Sequence, residues 1–559
     1  MIKVSEIKYT RPNKDELLAS IEQYKERLIN ANSAKEFSAI FDQFNEEMED
    51  INTNMEIANI RFTQDTRDEF YQNEKDYLDE ISPEISVAIT SLSQLVYYSK
   101  FRAELEEIYP KVLFTNMELE IKANDERLIE DRIQESKLVT RYTKLMSGII
   151  IDFNGEKLTP AAIKKYFTNP NRELRKSAYE AFGKAIKTNG EEIDDIYDQL
   201  VAIRTRMGVT LGYKEGFAPL GYLQMCRNCY DKEDIAKFRA NVKKYLVPLC
   251  SELHNKIKDS FGWDKVHLYD NEIFTVNEPK PQGTTEEIFD KTASIYKEMS
   301  PKTIELFSRM RECECFDVLS REGKWGGGYC TELPKYKLPF ILSNFNGSLD
   351  DIGTLTHEFG HALEFDAITK TKYAYICGLS YETAECHSMS MEFLVYPWID
   401  KLFGNATADY KLNHIGSAIS FIPYGTIVDY FQQTVYDNPD MTPSERNEFY
   451  AKIENEFMPY MTSEGITAFS EGRRWQRQAH IFESPFYYID YCLAQLTAFQ
   501  FLALSMKDYK GALEKYFKFV SICSTKTYTQ IIEECGLTSP FEEQTFKDIV
   551  ETVRKQLSL

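Results

Sequence analysis

Apolar residues recur every three or four positions along most of the chain, which is the spacing of an amphipathic helix. The pattern is clear over residues 14–140, resumes over about 160–310, and continues from Ser348 to the carboxyl end. Within the first stretch, Ser82-Pro83 predicts a helix start, because Ser caps helices and Pro suits their first turn. The sequence therefore predicts a mostly α-helical protein.

Two short segments interrupt the helical pattern and predict strands. In residues 148–158, two short runs predicted as strands flank Asn154-Gly155, a dipeptide typical of tight hairpin turns. Further along, a Gly-rich strand over 325–330 and an apolar strand over 338–345 are joined by a Pro-containing loop. We therefore expect a small β-sheet beside the helices that follow residue 345.

Composition narrows the class of protein. Hydrophobic residues make up 43% of the 559-residue chain, which is enough for a large buried core. The amino terminus lacks the apolar core of a signal peptide, and no run of about 18 uncharged apolar residues predicts a membrane span. The eleven scattered cysteines favour a reducing compartment. We expect a soluble, cytoplasmic protein.

The charge balance bears on partners. The chain carries 88 acidic and 66 basic residues, a formal net charge of −22. Such a polyanion repels phosphate backbones and anionic lipid surfaces, so neither nucleic acid nor a membrane is an expected partner. With no internal repeat or long linker, we expect one two-lobed unit, with a helical amino-terminal lobe over 1–200 and a metal-binding catalytic region over 201–559.

The candidate chemistry lies in His357-Glu358-Phe359-Gly360-His361. Two histidines four residues apart project from one helix face, about 40° apart, so both imidazoles can reach a single ion. Glu358 flanks them and can hold a metal-bound water without being a ligand. Zinc lowers the pKa of such a water toward 7, and the carboxylate removes its proton as it attacks a carbonyl carbon. The motif predicts a hydrolase with one Zn²⁺ per chain.

A catalytic zinc ion needs a third protein ligand. A second predicted helix presents Glu382, Glu385 and Glu392 on one face, and we take Glu385 as the ligand, with the other two in supporting positions. His387 is a rival, but it lies about 200° around the helix from Glu385. Glu364 lies too close to the two histidines on their own helix to be an attractive ligand.

These residues resemble a known family. His357 to His361, followed by Ala384-Glu385 through Glu392, resemble the thimet oligopeptidase and oligoendopeptidase F family of zinc metallopeptidases, and most closely its bacterial oligoendopeptidase F branch. In that family the third zinc ligand is a Glu on the next helix, with another Glu two turns later. The resemblance implies a mostly helical fold, two lobes that enclose a deep channel with zinc at its floor, and endopeptidase activity on short, unstructured oligopeptides.

The resemblance also implies residues that stabilise the oxyanion. The family uses a His and a pair of Tyr residues, which match His480, Tyr488 and Tyr491. Neutral donors of this kind stabilise the charge that develops on a carbonyl oxygen under attack. The His-to-Tyr spacing differs by one residue here, so the choice among Tyr487, Tyr488 and Tyr491 stays open. Without the resemblance, aromatic residues at helical spacing are more typical of a core.

The Gly-rich segment predicts substrate contacts. Gly327 and Gly328, which precede Tyr329, have no side chains and let another backbone approach closely. We expect a peptide to add to the strand around Phe340 to Asn344 by main-chain hydrogen bonds. A phosphate-binding loop is the alternative, but no Gly-Lys-Ser/Thr follows the glycines.

Two other functions remain open. One is a zinc carboxypeptidase of similar topology, and the other is a helical binding protein with a structural zinc site, although such a site has no need of Glu358. The pairs Cys226-x-x-Cys229 and Cys313-x-Cys315 differ in spacing and do not predict a second zinc site. The sequence does not indicate the preferred cleavage site, the physiological substrate or the oligomeric state.

Overall fold

The computed structural model describes residues 2–370 and 377–559. The predicted mostly α-helical fold is confirmed, with two small sheets among the helices. The chain forms two compact units, each built from three separate stretches. Unit 1 comprises Met1–Asn124, Pro279–Thr407 and Leu504–Leu537, and unit 2 comprises Asp125–Glu278, Ala408–Ala503 and Thr538–Leu559. Residue 200 lies within a helix of unit 2, and the division at this position stays a prediction.

The predicted hairpin is confirmed in unit 2. Strands β1 (Ile151–Phe153) and β2 (Glu156–Leu158) pair antiparallel, and Asn154 and Gly155 between them both have positive φ, as a tight hairpin turn requires. The Thr159 side chain then accepts a hydrogen bond from the backbone of the next helix and caps it.

The second sheet belongs to unit 1 and has three strands. Strand β5 (Leu338–Phe345) is central, between β3 (Phe316–Leu319), which runs parallel to it, and β4 (Tyr329–Leu333), which runs antiparallel. The strand predicted over 325–330 therefore begins later, and β3 is an additional strand that the sequence pattern did not indicate. Seven of the eight β5 residues are buried, so this strand carries the apolar centre of the sheet.

In unit 1, the helices Ala34–Gln64 and Asp350–Thr369 pack on this sheet, and the amino-terminal helices bury a separate apolar cluster. The helices of unit 1 are Lys14–Ile29, Ala34–Gln64, Glu69–Tyr97, Arg102–Ile108, Lys111–Ala123, Thr285–Met299, Pro301–Glu312, Asp350–Thr369, Tyr381–Leu394, Asp400–Phe403, Tyr509–Ile522 and Tyr528–Glu534.

The predicted helix start at Ser82-Pro83 is wrong. Pro83 lies inside the helix Glu69–Tyr97, which begins where the Asp68 side chain accepts two backbone N–H groups. A proline inside a helix removes one backbone hydrogen bond. The apolar residues around Pro83 are buried in the amino-terminal cluster, and this burial outweighs the local cost.

Unit 2 is also helical. Its helices are Ile129–Gly148, Pro160–Ile163, Arg172–Thr188, Gly190–Thr210, Phe217–Gln224, Lys232–Asn241, Val247–Phe261, Thr407–Asp437, Pro443–Phe457, Thr467–Ser470, Ala479–Glu483, Tyr488–Lys507 and Glu543–Leu557. Among the described helices, Tyr488–Lys507 is long and apolar enough to cross a membrane, but 72% of its apolar window is buried inside the protein. Such burial is typical of the core helix of a soluble protein.

Candidate active site

His357 and His361 lie one turn apart on the helix Asp350–Thr369, here called the first ligand helix. Their ring centroids are 5.1 Å apart. The capping box that Ser348 and Asp351 suggest does not form. Instead, the Asp351 carboxylate accepts hydrogen bonds from the backbone N–H groups of residues 346 and 347, which holds the turn before the helix.

Glu385 comes from the helix Tyr381–Leu394, the second ligand helix, which begins after Ser380. Its Oε2 atom lies 3.4 Å from His357 Nε2 and 3.8 Å from His361 Nε2. The two helices pack closely because residue 360 is a glycine. A Cβ atom there would lie 2.6 Å from the carbonyl oxygen of His387.

These three residues fit a zinc ion. Tetrahedral zinc holds nitrogen and oxygen ligands at about 2.0–2.2 Å, which places the ligand atoms roughly 3.4 Å from one another. The ligand atoms of His357, His361 and Glu385 all lie within 4.8 Å of one another. Within residues 2–370 and 377–559, no other group of three His, Cys, Asp or Glu side chains has this proximity.

Carboxylates hold the ligands in place. His357 Nδ1 donates a hydrogen bond to Glu392 Oε1 at 2.7 Å, so the ring presents Nε2 toward Glu385. The Ser388 hydroxyl donates to Glu385 Oε2 at 3.2 Å. Outer hydrogen bonds of this kind fix the tautomer and orientation of metal ligands. Glu382 is fully buried on the second ligand helix, and its supporting role stays a prediction.

The charges of the site favour a cation. Burial lowers the pKa of His357, but hydrogen bonds to Glu385 and Glu392 outweigh burial and hold this pKa well above its usual value. Burial raises the pKa of Glu385, yet the hydrogen bond from His357 and the nearby His361 outweigh burial and lower it. Without metal, Glu385 therefore favours its ionised form and His357 its protonated form, so the carboxylates of the site favour a bound cation.

Glu358 is buried beside the candidate ligands and near the sheet. The backbone N–H of Cys330 in β4 lies close enough to its carboxylate to favour the ionised form. Burial raises the pKa of Glu358, and the charges of His357 and His361 act in the opposite direction. A carboxylate with a raised pKa beside a metal site is suited to take up and release a proton.

The predicted strand addition at Phe340 to Asn344 is wrong. Strand β5 is central, so its main chain already bonds to strands on both sides, and the Phe340 side chain is fully buried. Asn344 instead holds the Gly-rich loop, since its Nδ2 donates to the carbonyls of Trp325 and Gly327. Among the described strands, β3 and β4 form the two edges of the sheet, and β4 begins with Tyr329.

The glycines of this loop are required by close contacts. A Cβ atom at Gly327 would overlap the ring of Trp325, and one at Gly328 would lie 3.2 Å from Thr354. The two glycines thus let the loop fold onto itself and approach the first ligand helix. Whether Gly327, Gly328 and Tyr329 contact substrate stays a prediction.

The aromatic cluster of unit 2 consists of His480, Tyr487, Tyr488 and Tyr491. The His480 ring lies 5.0 Å from that of Tyr488 and 6.2 Å from that of Tyr491, both edge to face, and stacks on Tyr487 at 5.9 Å. His480 lies in the short helix Ala479–Glu483, and the next helix begins at Tyr488.

Burial favours the neutral forms of His480 and Tyr488 in the aromatic cluster. Burial lowers the pKa of His480 and raises the pKa of Tyr488 well above its usual value. The Gln478 amide nitrogen lies 3.0 Å from His480 Nδ1, and Gln478 Oε1 accepts from Tyr424 at 2.7 Å. His480 Nδ1 therefore accepts a hydrogen bond, which leaves the ring proton on Nε2 as a donor.

Comparison with known proteins decides the family. A family model described as peptidase family M3 matches residues 166–550, and one described as the peptidase M3 N-terminal domain matches residues 4–124. The chain belongs to peptidase family M3. The resemblance to oligoendopeptidase F proteins is thereby confirmed, and the chain is a metallopeptidase that acts on peptides.

Individual relatives span nearly the whole M3 chain. Oligopeptidase PepF of Bacillus subtilis (strain 168) is 24% identical, covering 94% of this chain and 81% of PepF. The structure of PZ peptidase A with inhibitor 2 has a TM-score of 0.92 at 37% identity, covering 100% of this chain and 99% of that one. A structure assigned as oligoendopeptidase F from Bacillus anthracis str. Ames has a TM-score of 0.88 at 35% identity, covering 100% and 98%.

Sequence reasoning missed one feature of this M3 peptidase. Glu364, set aside as a ligand, lies behind His361, with its Oε2 3.7 Å from His361 Nδ1 and 2.9 Å from His387 Nδ1. Burial raises the pKa of Glu364, but His387 and His361 outweigh burial and lower it to about 2. The three-residue spacing between His361 and Glu364 on one helix was the available signal.

Proposed function

We propose that this M3 metallopeptidase is a zinc-dependent endopeptidase that hydrolyses internal bonds of short, unstructured oligopeptides in the cytoplasm. The observation that carries the proposal is the convergence of His357, His361 and Glu385, with ligand atoms within 4.8 Å of one another, beside the buried carboxylate of Glu358. Two imidazoles and one carboxylate form a donor set typical of catalytic zinc sites, which keep a fourth position open.

Zinc held by these residues would supply a Lewis acid and lower the pKa of a water molecule. The chain's own contribution is the movement of the proton. Glu358 is not among the proposed ligands, and its buried carboxylate lies near the Cys330 N–H of β4. It takes the proton from the attacking water and delivers it to the leaving amine. A buried base with a raised pKa suits both directions of transfer.

The free edge of β4 supports peptide rather than ester or small-molecule substrates. In an antiparallel pair, every second residue turns its N–H and C=O groups away from the partner strand. Ile341 uses its N–H to bond the carbonyl of Cys315, so its opposite residue, Cys330, directs its main chain toward the free edge. Because Cys330 lies near Glu358, an extended peptide paired along that edge would present its backbone to the base.

His480, Tyr488 and Tyr491 are proposed as oxyanion donors. The proton on His480 Nε2 and the protonated hydroxyl of Tyr488 are both available for donation at neutral pH. Neutral donors stabilise negative charge that develops during the reaction without binding the neutral carbonyl as strongly. The assignment to this role rests on the family resemblance.

Metal dependence is tested by removing and restoring the ion. Exhaustive chelation should abolish cleavage of a fluorogenic peptide, and one equivalent of zinc per chain should restore it. Restoration by another divalent ion but not by zinc would contradict the choice of metal. Cleavage that survives removal of all metal would contradict the whole proposal.

Endopeptidase action is tested with peptides blocked at both ends. An endopeptidase cuts an acetylated and amidated peptide at an internal bond, whereas a carboxypeptidase requires a free carboxyl end. A length series of unstructured peptides with one cleavable bond, assayed beside a folded protein, tests the size limit. A folded protein must first unfold locally, commonly at a cost of several kcal/mol, so it should resist cleavage. Efficient cutting of the folded protein would contradict the restriction to short peptides.

A further inference from the structure

A single buried oxygen connects a metal ligand to a residue that does not reach the metal. Glu364 Oε2 lies 2.9 Å from His387 Nδ1, a hydrogen bond, and 3.7 Å from His361 Nδ1. Glu364 is on the first ligand helix and His387 is on the second, so the contact also bridges the two helices that supply the ligands. Both side chains are buried, and His387 is fully so.

The chemistry of this arrangement allows one assignment of protons. A carboxylate only accepts hydrogen bonds, so His387 must carry its proton on Nδ1 in order to donate to Glu364. His361 turns its own Nδ1 toward the same oxygen and its Nε2 toward Glu385, so a proton on Nδ1 would leave the lone pair of Nε2 available to a metal. This is the tautomer that a metal ligand needs.

His387 is fixed by its surroundings rather than by other polar contacts of its ring. Its ring packs edge to face on Phe519, with centroids 5.2 Å apart, and its backbone carbonyl accepts from the Tyr516 hydroxyl at 3.0 Å. Its Nε2 atom is buried without a hydrogen-bond partner among the described residues. Among the described residues, the hydrogen bond to Glu364 is therefore the polar contact that holds the buried ring.

The other histidine ligand is supported differently. His357 reaches its carboxylate directly, with Nδ1 2.7 Å from Glu392, whereas the distance from His361 to Glu364 exceeds hydrogen-bond length. Glu364 is held closer to His387 than to the ligand it supports. The orientation of His361 thus depends on where His387 keeps the carboxylate.

We propose that Glu364 and His387 are positioning residues that together hold His361 in its metal-binding orientation, so that His387 sets the metal affinity without contacting the metal. The proposal rests on the proposed function, since it takes His357, His361 and Glu385 as the zinc ligands. It assigns a role in metal retention to a residue that sequence spacing first presents as a rival ligand.

The decisive measurement is the zinc dissociation constant, obtained by competition with a chromophoric chelator, for three variants. His387→Leu removes the donor and should weaken zinc binding by about 10- to 100-fold, the usual loss when an outer hydrogen-bond partner of a ligand is removed. His387→Asn keeps an amide N–H donor near the position of Nδ1 and should recover most of the affinity. Glu364→Gln should weaken binding as much as His387→Leu does.

The double variant of Glu364→Gln with His387→Leu adds a further constraint. If both residues act through the same contact, the double variant should lose no more affinity than Glu364→Gln alone. Phe519→Leu is the packing control, because Phe519 contacts the His387 ring without a polar atom, and it should leave zinc affinity within about twofold. The thermal midpoint of each metal-free variant reports folding separately, and the absorption spectrum of the cobalt-loaded form reports ligand geometry.

Three results would overturn the inference: unchanged zinc affinity in His387→Leu, equal losses in His387→Asn and His387→Leu, or fully additive losses in the double variant. Should His387→Leu not fold, His387→Asn and Glu364→Gln carry the same comparison. Failure of the proposed function looks different. If His361→Ala and Glu385→Ala both bind zinc as tightly as the wild type, the ligand set itself is wrong.

Discussion

The metal centre of unit 1 is held by hydrogen bonds to charged groups, whereas the aromatic cluster of unit 2 is held by ring packing. At the metal centre, His357 contacts Glu392 at 2.7 Å, and the carboxylates outweigh burial so that the histidine pKa is raised. In the aromatic cluster, His480 contacts Tyr488 edge to face at 5.0 Å, and burial lowers the histidine pKa. The first region is prepared for a cation and the second for neutral donors.

If the aromatic cluster donates to the oxyanion as proposed, this difference separates two kinds of contribution to the reaction. Charged groups can bind a metal and move protons, and their removal should affect metal content or the chemical step directly. Neutral donors stabilise charge only as it develops, so their removal should lower turnover without changing metal content. Variants in the two regions should therefore have distinct signatures, and the following experiments test that separation.

The largest effect is expected for Glu358→Gln. The amide keeps the size of the side chain but cannot accept the proton of the attacking water, so turnover should fall by about 100- to 10,000-fold. Zinc content and thermal midpoint should stay at wild-type values, because Glu358 is not a ligand. Steady-state kinetics with metal analysis checks both. Residual turnover above about a tenth of wild type would show that another group acts as base.

A smaller loss is expected for Tyr488→Phe and Tyr491→Phe. Each substitution removes one hydroxyl with little change of shape, so packing within the aromatic cluster is retained. If the hydroxyl donates to the oxyanion, kcat should fall by about a hundredfold while KM changes little. Tyr487→Phe serves as the matched control and decides which tyrosines take part. A lowered thermal midpoint with unchanged kcat would identify the affected hydroxyl as structural.

Two of the three candidate metal ligands could be brought together from the sequence because their geometry is local. His357 and His361 are one helical turn apart, so their shared face follows from helix geometry alone. The supporting contact from His387 to Glu364 could not be derived in this way, because it joins two helices whose relative placement is set by packing at Gly360. Spacing around one helix placed His387 away from Glu385 but did not show what it faces.

The same limit explains the error in the sheet. The apolar run 338–345 correctly predicted a strand, but its place in the sheet depends on β3, a four-residue strand that lacks a clear pattern. Without β3, strand β5 would be an edge strand and open to substrate. In the aromatic cluster, the spacing of the tyrosines predicts a shared face, while their chemical role came from the family resemblance and not from periodicity.

Two glycines offer a matched packing test of the two regions. A Cβ atom at Gly360 would collide with the backbone of the second ligand helix, whereas one at Gly425 would collide with Cys492 Sγ and lie 3.5 Å from the Tyr488 ring. Gly360→Ala should cost about 3 kcal/mol of unfolding free energy and weaken zinc binding. Gly425→Ala should lower kcat through Tyr488 with zinc affinity unchanged.

The Gly425 effect has an internal control. Because the collision is with a single sulfur atom, Cys492→Ala should relieve it, and the double variant of Gly425→Ala with Cys492→Ala should recover turnover. No side-chain change relieves Gly360→Ala, since the colliding atoms are main-chain atoms of His387 and Ser388. Equal losses of zinc affinity in both glycine variants would show that packing in the aromatic cluster also affects metal binding.

The smallest effect concerns stability in acid. Buried histidines of unit 2 and His357 of unit 1 should change the free energy of unfolding in opposite directions as the pH falls. His254, in unit 2, is buried in a stack on Tyr460, with its Nε2 3.2 Å from the Ser420 hydroxyl, and burial lowers its pKa from 6.5 to about 4. Because the unfolded chain then binds more protons, stability should fall as the pH drops from about 6.5 toward 4. At pH 5 the loss from this one histidine is about 2 kcal/mol. Urea denaturation of wild type and His254→Phe at pH 7 and pH 5 isolates the effect, since the ring of Phe keeps the stack and cannot titrate.

His480→Phe should also reduce the slope of unfolding free energy against pH, because burial lowers the pKa of His480 as well. A metal-free His357→Phe variant should change the slope in the opposite direction, because the carboxylates raise the pKa of His357 and its protonated form stabilises the folded state. The same pH slope in His254→Phe and wild type would show that the buried histidines of unit 2 do not govern its acid stability.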